Sequence, residues 1–244
     1  MFVSLSWFVL LVAVHHGAYA KIPEFIHVCN RNDPMIDQCI LNSVESLKPL
    51  LLKGIPELDI PSLEPVRFPE IVIAKTSSFR AVGTDVVISG ASNYKITSFK
   101  SNIPKLTFFI GLHFPYIQVD ANYDVNMRIL ALILRGNGPL QSNNTDINAN
   151  AILKGHKEVR NGKTYAKFDA LELKLKWKNY NVKLENLFNG DRRLGEAVNA
   201  ALNQNKKELL DAILPTLERV VSNTLLDITD KITKNFTFEE LFPE

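Results

Sequence analysis

The chain is poor in cysteine, in net charge and in long apolar runs, and each shortage closes off a class of protein. Only two cysteines occur, Cys29 and Cys39, so neither a multi-bridge scaffold nor a four-cysteine zinc site can be built. His27 is the only other metal-ligating side chain close by, which leaves the pair short of a tetrahedral set, and no metal is expected. In an oxidising compartment the two cysteines are expected to pair with each other, and so short a loop stabilises by roughly 2–3 kcal/mol in chain-entropy terms. Lys plus Arg total 28 against 26 for Asp plus Glu, a balance that gives no electrostatic reason to expect a nucleic-acid partner. Beyond residue 20 no stretch is apolar for long enough to cross a bilayer.

Signature chemistry is missing as well. The histidines at 15, 16, 27, 113 and 156 are scattered, and none belongs to a His-Glu-x-x-His pattern. There is no Gly-x-Ser-x-Gly elbow and no Gly-x-Gly-x-x-Gly run. Gly190 and Gly195 have the spacing of a phosphate-cradling loop, but Glu196 stands where lysine is required. No catalytic residue and no cofactor are therefore assigned.

What is present begins with an export signal. Residues 1–20 lack Lys, Arg, Asp and Glu, Trp7 to Val14 form a short apolar run, and Ala18-Tyr19-Ala20 supplies the small-x-small cleavage pattern. Cleavage before Lys21 is predicted, leaving residues 21–244 as one secreted, extracellular domain. Two Asn-x-Thr sequons, at Asn143 and Asn235, fit that route and are candidate glycosylation sites.

Periodicity then divides the chain. Asp33-Pro34 should open a helix, with Ile36, Ile40, Val44, Leu47 and Leu51 on one face, a bend at Pro49 and an end at Gly54. The proline-spaced stretch from Ile55 to Val66 reads as an extended connector. From about Arg67 to Phe188 the period is two: Val82 to Ile88, Leu106 to Phe114, Val119 to Ile129 and Ile147 to Leu153 alternate with polar residues. Inward phase switches between Ala166-x-Phe168-x-Ala170 and Leu171-x-Leu173, which predicts a bulge near Ala170, and Asn161-Gly162 is a hairpin turn signal. After Asp191 a 3.6-residue stripe runs from Leu194 to Ile232. This predicts one helix about 60 Å long, kinked at Pro215.

The expected fold is α+β: a short N-terminal helix, then a highly curved antiparallel sheet wrapped around a long C-terminal helix. Several inward positions are small, namely Ala121, Ala149, Ala151, Ala166 and Ala170. Small residues there are compatible with an unfilled apolar channel and equally with close approach of helix to sheet.

Cys29 and Cys39 flank Arg31-Asn32-Asp33-Pro34, and Ser46-Leu47-Lys48-Pro49 is followed by Gly54-Ile55-Pro56-Glu57-Leu58 and Pro61-x-Leu63-x-Pro65. Later come Leu187-Phe188-Asn189-Gly190-Asp191 and the ending Leu241-Phe242-Pro243-Glu244. Together these resemble the takeout and juvenile-hormone-binding protein family of insects over the whole chain after the signal. The resemblance implies a tubular lipid-binding fold and a carrier of a terpenoid, fatty acid or similar lipid in an apolar tunnel. Takeout-like proteins are associated with circadian output, feeding and chemosensory tissues. The family's hormone binders have a second disulfide between sheet and long helix, for which this chain has no cysteines, so the takeout branch fits better.

Strand and helix phase nominate Phe108, Ile110, Leu112, Tyr123, Val125, Met127, Phe168, Leu173, Ile213 and Leu217 as tunnel lining. Tyr123 and His113 are candidates to bond a polar ligand group, against the alternative that each is satisfied in the fold. Lys174, Lys176 and Lys178 share one strand face, either as a solvated face or as a transient contact with an anionic membrane. The competing functions are a signalling module with a solid core and a receptor surface, and a membrane lipid-transfer protein. A monomer is the working expectation.

Overall fold

The computed structural model describes residues 22–75, 80–129 and 132–244; the predicted signal and its cleavage point lie outside the described residues. Helix α1 (Ile36–Lys53) is followed by strands β1 (Val66–Lys75), β2 (Arg80–Ser89), β3 (Lys95–Asn102), β4 (Thr107–Ile129), β5 (Leu132–Arg160) and β6 (Lys163–Leu184). The chain ends in helices α2 (Arg192–Gln204), α3 (Lys206–Thr233) and α4 (Phe238–Leu241). The sheet is antiparallel in the order β1-β2-β4-β5-β6, with β3 pairing the half of β4 that β2 leaves open. Helix α3 packs along β6 and also reaches β1, so the curled sheet meets the helix from both outer strands.

Strand length sets this shape. β4 has 23 residues and β5 has 29, so each runs for about 75 Å or more at ~3.3 Å per residue, too long for a flat sheet. The two alternating runs Leu106–Phe114 and Val119–Ile129 are one strand, and the inward phase reverses between them. Phe108 is buried on the even phase, whereas Ile117, Tyr123 and Val125 are buried on the odd one. β5 and β6 reverse at the same level, from Ala149 and Ile147 to Asn144, and from Leu173 to Tyr180 and Leu184. At that level Asp146 has φ 58° and its cross-strand steps to Pro115 and Lys178 are missing from the ladders. Three neighbouring strands thus share one crease, and the sheet bends there without turning its apolar face outward.

A second irregularity lies at Asp169. Lys154 pairs with Ala170 but Gly155 pairs with Phe168, so Asp169 is the extra residue, one position before the expected bulge. Only glycine fits at 155, because a Cβ would stand 2.3 Å from the Lys167 carbonyl oxygen. Asn161 (φ 51°) and Gly162 (φ 74°) form the two-residue turn joining Arg160 to Lys163, as expected.

Three expectations need correction. Helix α1 begins at Ile36; Pro34 lies in the turn before it, where Asp33 Oδ1 accepts the Met35 N–H at 2.7 Å. The connector is not simply extended: it holds a 3-10 turn, Pro56–Leu58, and an Ile55–Ile60 bridge, with Ile55, Leu58 and Ile60 buried against Phe236. The long helix breaks at Asn205 (φ −97°, ψ 50°), and Pro215 sits inside α3. The break falls where the apolar stripe skips from Leu202 to Leu209 across Asn-Gln-Asn-Lys-Lys-Glu, so no buried side chain holds that turn in register.

The free edge of β6 is covered by side chains of the helices. Asn203 Oδ1 accepts the Val182 N–H at 2.8 Å and its Nδ2 donates to the Val182 carbonyl at 2.7 Å. Asn199 does the same for Leu184, at 2.8 Å in both directions. Glu218 Oε1 accepts the Leu175 N–H at 2.9 Å. Each asparagine amide acts as a peptide group of a missing strand, which satisfies an edge that would otherwise be open. Replacing Asn203 by Asp keeps the acceptor and loses the donor. It should cost about 1–3 kcal/mol in urea unfolding and speed hydrogen exchange at the Val182 amide selectively.

The N- and C-terminal segments are tied together. Cys29 and Cys39 form the expected disulfide. Arg31 donates from Nη1 to the Phe242 carbonyl at 3.0 Å, forms an ion pair with Glu244 and lies over the Phe238 ring at 5.5 Å. Beyond the C-terminal end of α1, the Glu64 carboxylate accepts the Gly90 N–H at 2.9 Å and the Ser92 Oγ–H at 2.8 Å. Burial alone would raise its pKa, but the bonds from Gly90 and Ser92 outweigh it and hold the group below the ordinary 4.5. With the folded pKa depressed, this stabilisation is present above the ordinary carboxylate range and is lost as pH falls through it. Glu64→Gln should therefore lower the melting temperature at neutral pH, with the difference from wild type shrinking on acidification.

Candidate functional site

The nominated lining residues divide among three zones of the helix–sheet interior. At one end Phe108 and Phe168 are buried with Ile103, Leu106, Ala166 and Phe238, and Ile110 packs against them. The rings interlock: Phe108 lies 5.9 Å from Phe168 and 6.3 Å from Phe242. This end is closed by α4 and the final residues, whose Thr237 makes a capping box with Glu240. At the other end Tyr123 and Val125 are buried with Leu134, Leu184, Leu187 and Leu202, and Met127 and Ile213 pack against them. The two ends are about 50 Å apart along β4 at ~3.3 Å per residue.

The second end is closed by the turn between β6 and α2. Leu187 is 2% exposed, and Asp191 caps α2 by accepting the Leu194 N–H at 3.0 Å. Gly136 and Gly138 of β5 let this turn lie close, since a Cβ at either would come within 2.9 Å of the Asn186 or Glu185 carbonyl oxygen.

Between the two ends lie Leu112, Leu173 and Leu217, which belong to neither cluster. The rows of the sheet here read Ile110–Ala151–Leu173, Leu112–Ala149–Leu175 and Phe114–Ile147–Trp177. Leu112, Phe114, Leu175, Trp177 and Leu217 are only half-buried. Alanines occupy the middle strand of two of these rows, so the wall is thinnest where the clusters end. Two half-open surface hollows lie elsewhere. One, of about 340 Å³, is lined by Glu70, Lys75, Arg80, Asn122 and Asp124 among others; one of about 450 Å³ lies between Lys48 of α1 and Tyr94. Neither takes a wall from α3.

The polar candidates are committed to the fold. Tyr123 donates its hydroxyl to the Glu185 carbonyl at 2.5 Å. His113 points to the outer face, beside Asn148 at 3.2 Å and Asp146 at 3.7 Å. Neither offers a free group to the interior. Tyr180, which sequence reasoning did not single out, donates to the Leu202 carbonyl at 2.7 Å and pins α2 to β6. Burial pushes both phenols up to about 12. Lys174, Lys176 and Lys178 are exposed on the outer face, but Lys174 pairs with Glu218 at 2.9 Å and Lys178 with Asp146 at 3.0 Å. Both candidate glycosylation asparagines, Asn143 and Asn235, are exposed.

His27 lies within 4.8 Å of the Cys29 and Cys39 sulfurs. Both sulfurs are in the disulfide, so the group presents one imidazole and no thiolate, and the donor set does not fit a metal.

The profile of the family described as haemolymph juvenile hormone binding protein (JHBP) matches residues 7–243. The chain belongs to this family. Similar to this JHBP-family member is the circadian clock-controlled protein daywake of Drosophila melanogaster, 22% identical over 98% of this chain and 93% of the relative. A Schistocerca gregaria protein named for beta-carotene binding is 20% identical over 89% of this chain and 88% of its own length. The crystal structure of Epiphyas postvittana Takeout 1 superposes with a TM-score of 0.73 at 18% identity, over 89% of this chain and 99% of that one. The JHBP-family member thus has the takeout fold, with a curled sheet around a C-terminal helix. Of the motifs that carried the resemblance, two lie at the closed ends, where Arg31 meets Phe242 and Glu244 and Leu187 enters the cluster around Tyr123, and the connector motif packs Ile55 and Leu58 against Phe236.

The raised phenols of Tyr123 and Tyr180 make the end closed by Leu187 and Leu202 sensitive to alkali. A phenol whose folded pKa lies above the ordinary 10.0 stabilises the fold below that value, and the stabilisation is lost as pH rises toward 12. Absorbance titration should show a late tyrosine phase near 12 accompanied by unfolding, and Tyr180→Phe should reduce its amplitude.

Proposed function

We propose that the chain is a secreted carrier that encloses a long apolar molecule between α3 and the middle rows of the sheet, without altering it. The observation that carries this reading is the contrast along one interior: both ends hold buried clusters, while between them Leu112, Phe114, Leu175, Trp177 and Leu217 stay half-buried beside the buried Ile147, Ala149 and Leu173. Apolar surface left accessible inside a folded protein gains about 25 cal/mol per Å² when an apolar guest covers it. Leu112, Leu173 and Leu217 are the lining residues in that zone, and the nominated residues at either end serve as end walls.

Membership in a family described by hormone binding, and a relative named for beta-carotene binding, favour an isoprenoid or comparable lipid as cargo. A role in circadian output is the physiological setting suggested by daywake. Secretion accords with a family described from haemolymph, and no described helix is long and apolar enough to cross a membrane. The lysine face gives little support to membrane transfer, because Glu218 and Asp146 already neutralise two of its cations.

Native mass spectrometry of protein secreted from insect cells should show a lipid-sized mass that leaves on denaturation. Ala149→Phe should fill the middle zone, abolish that mass and lower affinity for a fluorescent fatty-acid probe at least tenfold while the protein stays folded. A secreted wild-type protein that carries no lipid and binds neither fatty acids nor isoprenoids would overturn the proposal.

A further inference from the structure

Among the described residues two buried side-chain nitrogens have no hydrogen-bond partner, Arg160 Nε and Trp177 Nε1. Arg160 is accounted for: its guanidinium stacks on Tyr165 at 4.0 Å and lies 3.1 Å from a Glu158 carboxylate oxygen. Trp177 is not. It alternates with the exposed Lys176 and Lys178, so its ring faces the interior, and it stands opposite Ile147, which is 4% exposed and in turn opposes Phe114. The Glu218 bond to the Leu175 N–H brings α3 to the same stretch. An indole N–H is a donor with no acceptor capacity of its own, and here its cross-strand neighbours are apolar. Leaving it unpaired costs free energy that an incoming acceptor would recover.

We infer that Trp177 selects what is carried: the cargo is a long apolar molecule bearing a hydrogen-bond acceptor oxygen, such as a carbonyl, part-way along its length, and Trp177 Nε1–H donates to it. The inference rests on the carrier reading and narrows it from any apolar molecule to an oxygen-bearing one. The ring is half-buried while its nitrogen is shut off, so a swing of the ring about its side-chain bonds presents the N–H to the guest. A pure hydrocarbon fills the same space by apolar contact and leaves the donor unpaired, so affinity separates the two classes.

The test compares a long-chain alkane with the ketone of equal length whose carbonyl is at the middle carbon. Both are titrated against the full chain by displacement of a fluorescent fatty-acid probe. The ketone should bind about tenfold more tightly than the alkane, the effect of one recovered hydrogen bond. Trp177→Phe, which keeps an aromatic ring and removes the N–H, should bring the ratio to about one by weakening the ketone alone. Of the two tryptophans, Trp7 leaves with the predicted signal, so the ¹⁵N-labelled secreted protein has one indole resonance, that of Trp177. It should move downfield with ketone and not with alkane, a readout of wild-type protein that stands even where the variant fails to fold. Equal wild-type affinities for ketone and alkane with an unmoved indole resonance would overturn the selection and leave the carrier reading standing. If neither compound displaces the probe, both fall.

Discussion

The architecture depends on how the open edge of β6 is satisfied. A sheet strand with no neighbour presents a row of unpaired N–H and C=O groups, and here Asn199, Asn203 and Glu218 supply the partners from α2 and α3. Tyr180 adds a bond in the other direction, from the strand side chain to the helix backbone. These contacts fix the helices in register with the edge and hold them there by directional bonds instead of by apolar contact alone. That matters for the proposed carrier, because a helix held only by packing would sink into the sheet until the interior was filled. A helix tethered at its edge can stand off from the middle rows at much smaller cost.

The remaining structure reads as consequences of that tether. The shared crease at Pro115, Asp146 and Lys178 lets three very long strands curl while keeping one face apolar. Aromatic rings from β4, β6 and the C-terminal segment close one end, and the Leu187 turn closes the other. Of the residues that carry the resemblance, Leu187 lies in one closure, Arg31 fastens the N-terminal arm to Phe242 and Glu244, and Ile55 and Leu58 pack against Phe236. The zone between combines alanines and half-buried apolar side chains with the buried Ile147 and Leu173, and Trp177 is its one donor lacking a partner among the described residues.

Much of this was legible in the sequence because period-two and period-3.6 patterns report directly on which face is buried. The Asn161-Gly162 hairpin, the bulge beside Ala170, the Cys29–Cys39 bridge and the wrapped helix all followed from local chemistry. The crease is equally visible, since inward phase runs even through Phe114 and odd from Val119, but alternation alone does not say that the two runs are one strand that bends. The gap in the stripe after Leu202 signals the helix break at Asn205, whereas Pro215, where a kink is expected, is absorbed within α3. The edge tether was not legible, because an asparagine on a helix gives no sign of which strand backbone it will meet. Phase also placed Tyr123, Phe108 and Leu112 on one inner face but could not say that they divide into two closures and a middle. That division depends on where α4 and the Leu187 turn fold back.

The central claim is that the interior between the two closures holds more apolar space than its own side chains occupy. A crystal structure of protein secreted from insect cells and never exposed to detergent or denaturant tests it most directly. The account predicts continuous, elongated non-protein electron density between α3 and the rows of Leu112 and Leu175, ending at Phe168 on one side and Tyr123 on the other. Side chains of α3 in unbroken van der Waals contact with those rows, with no density between them, would contradict it.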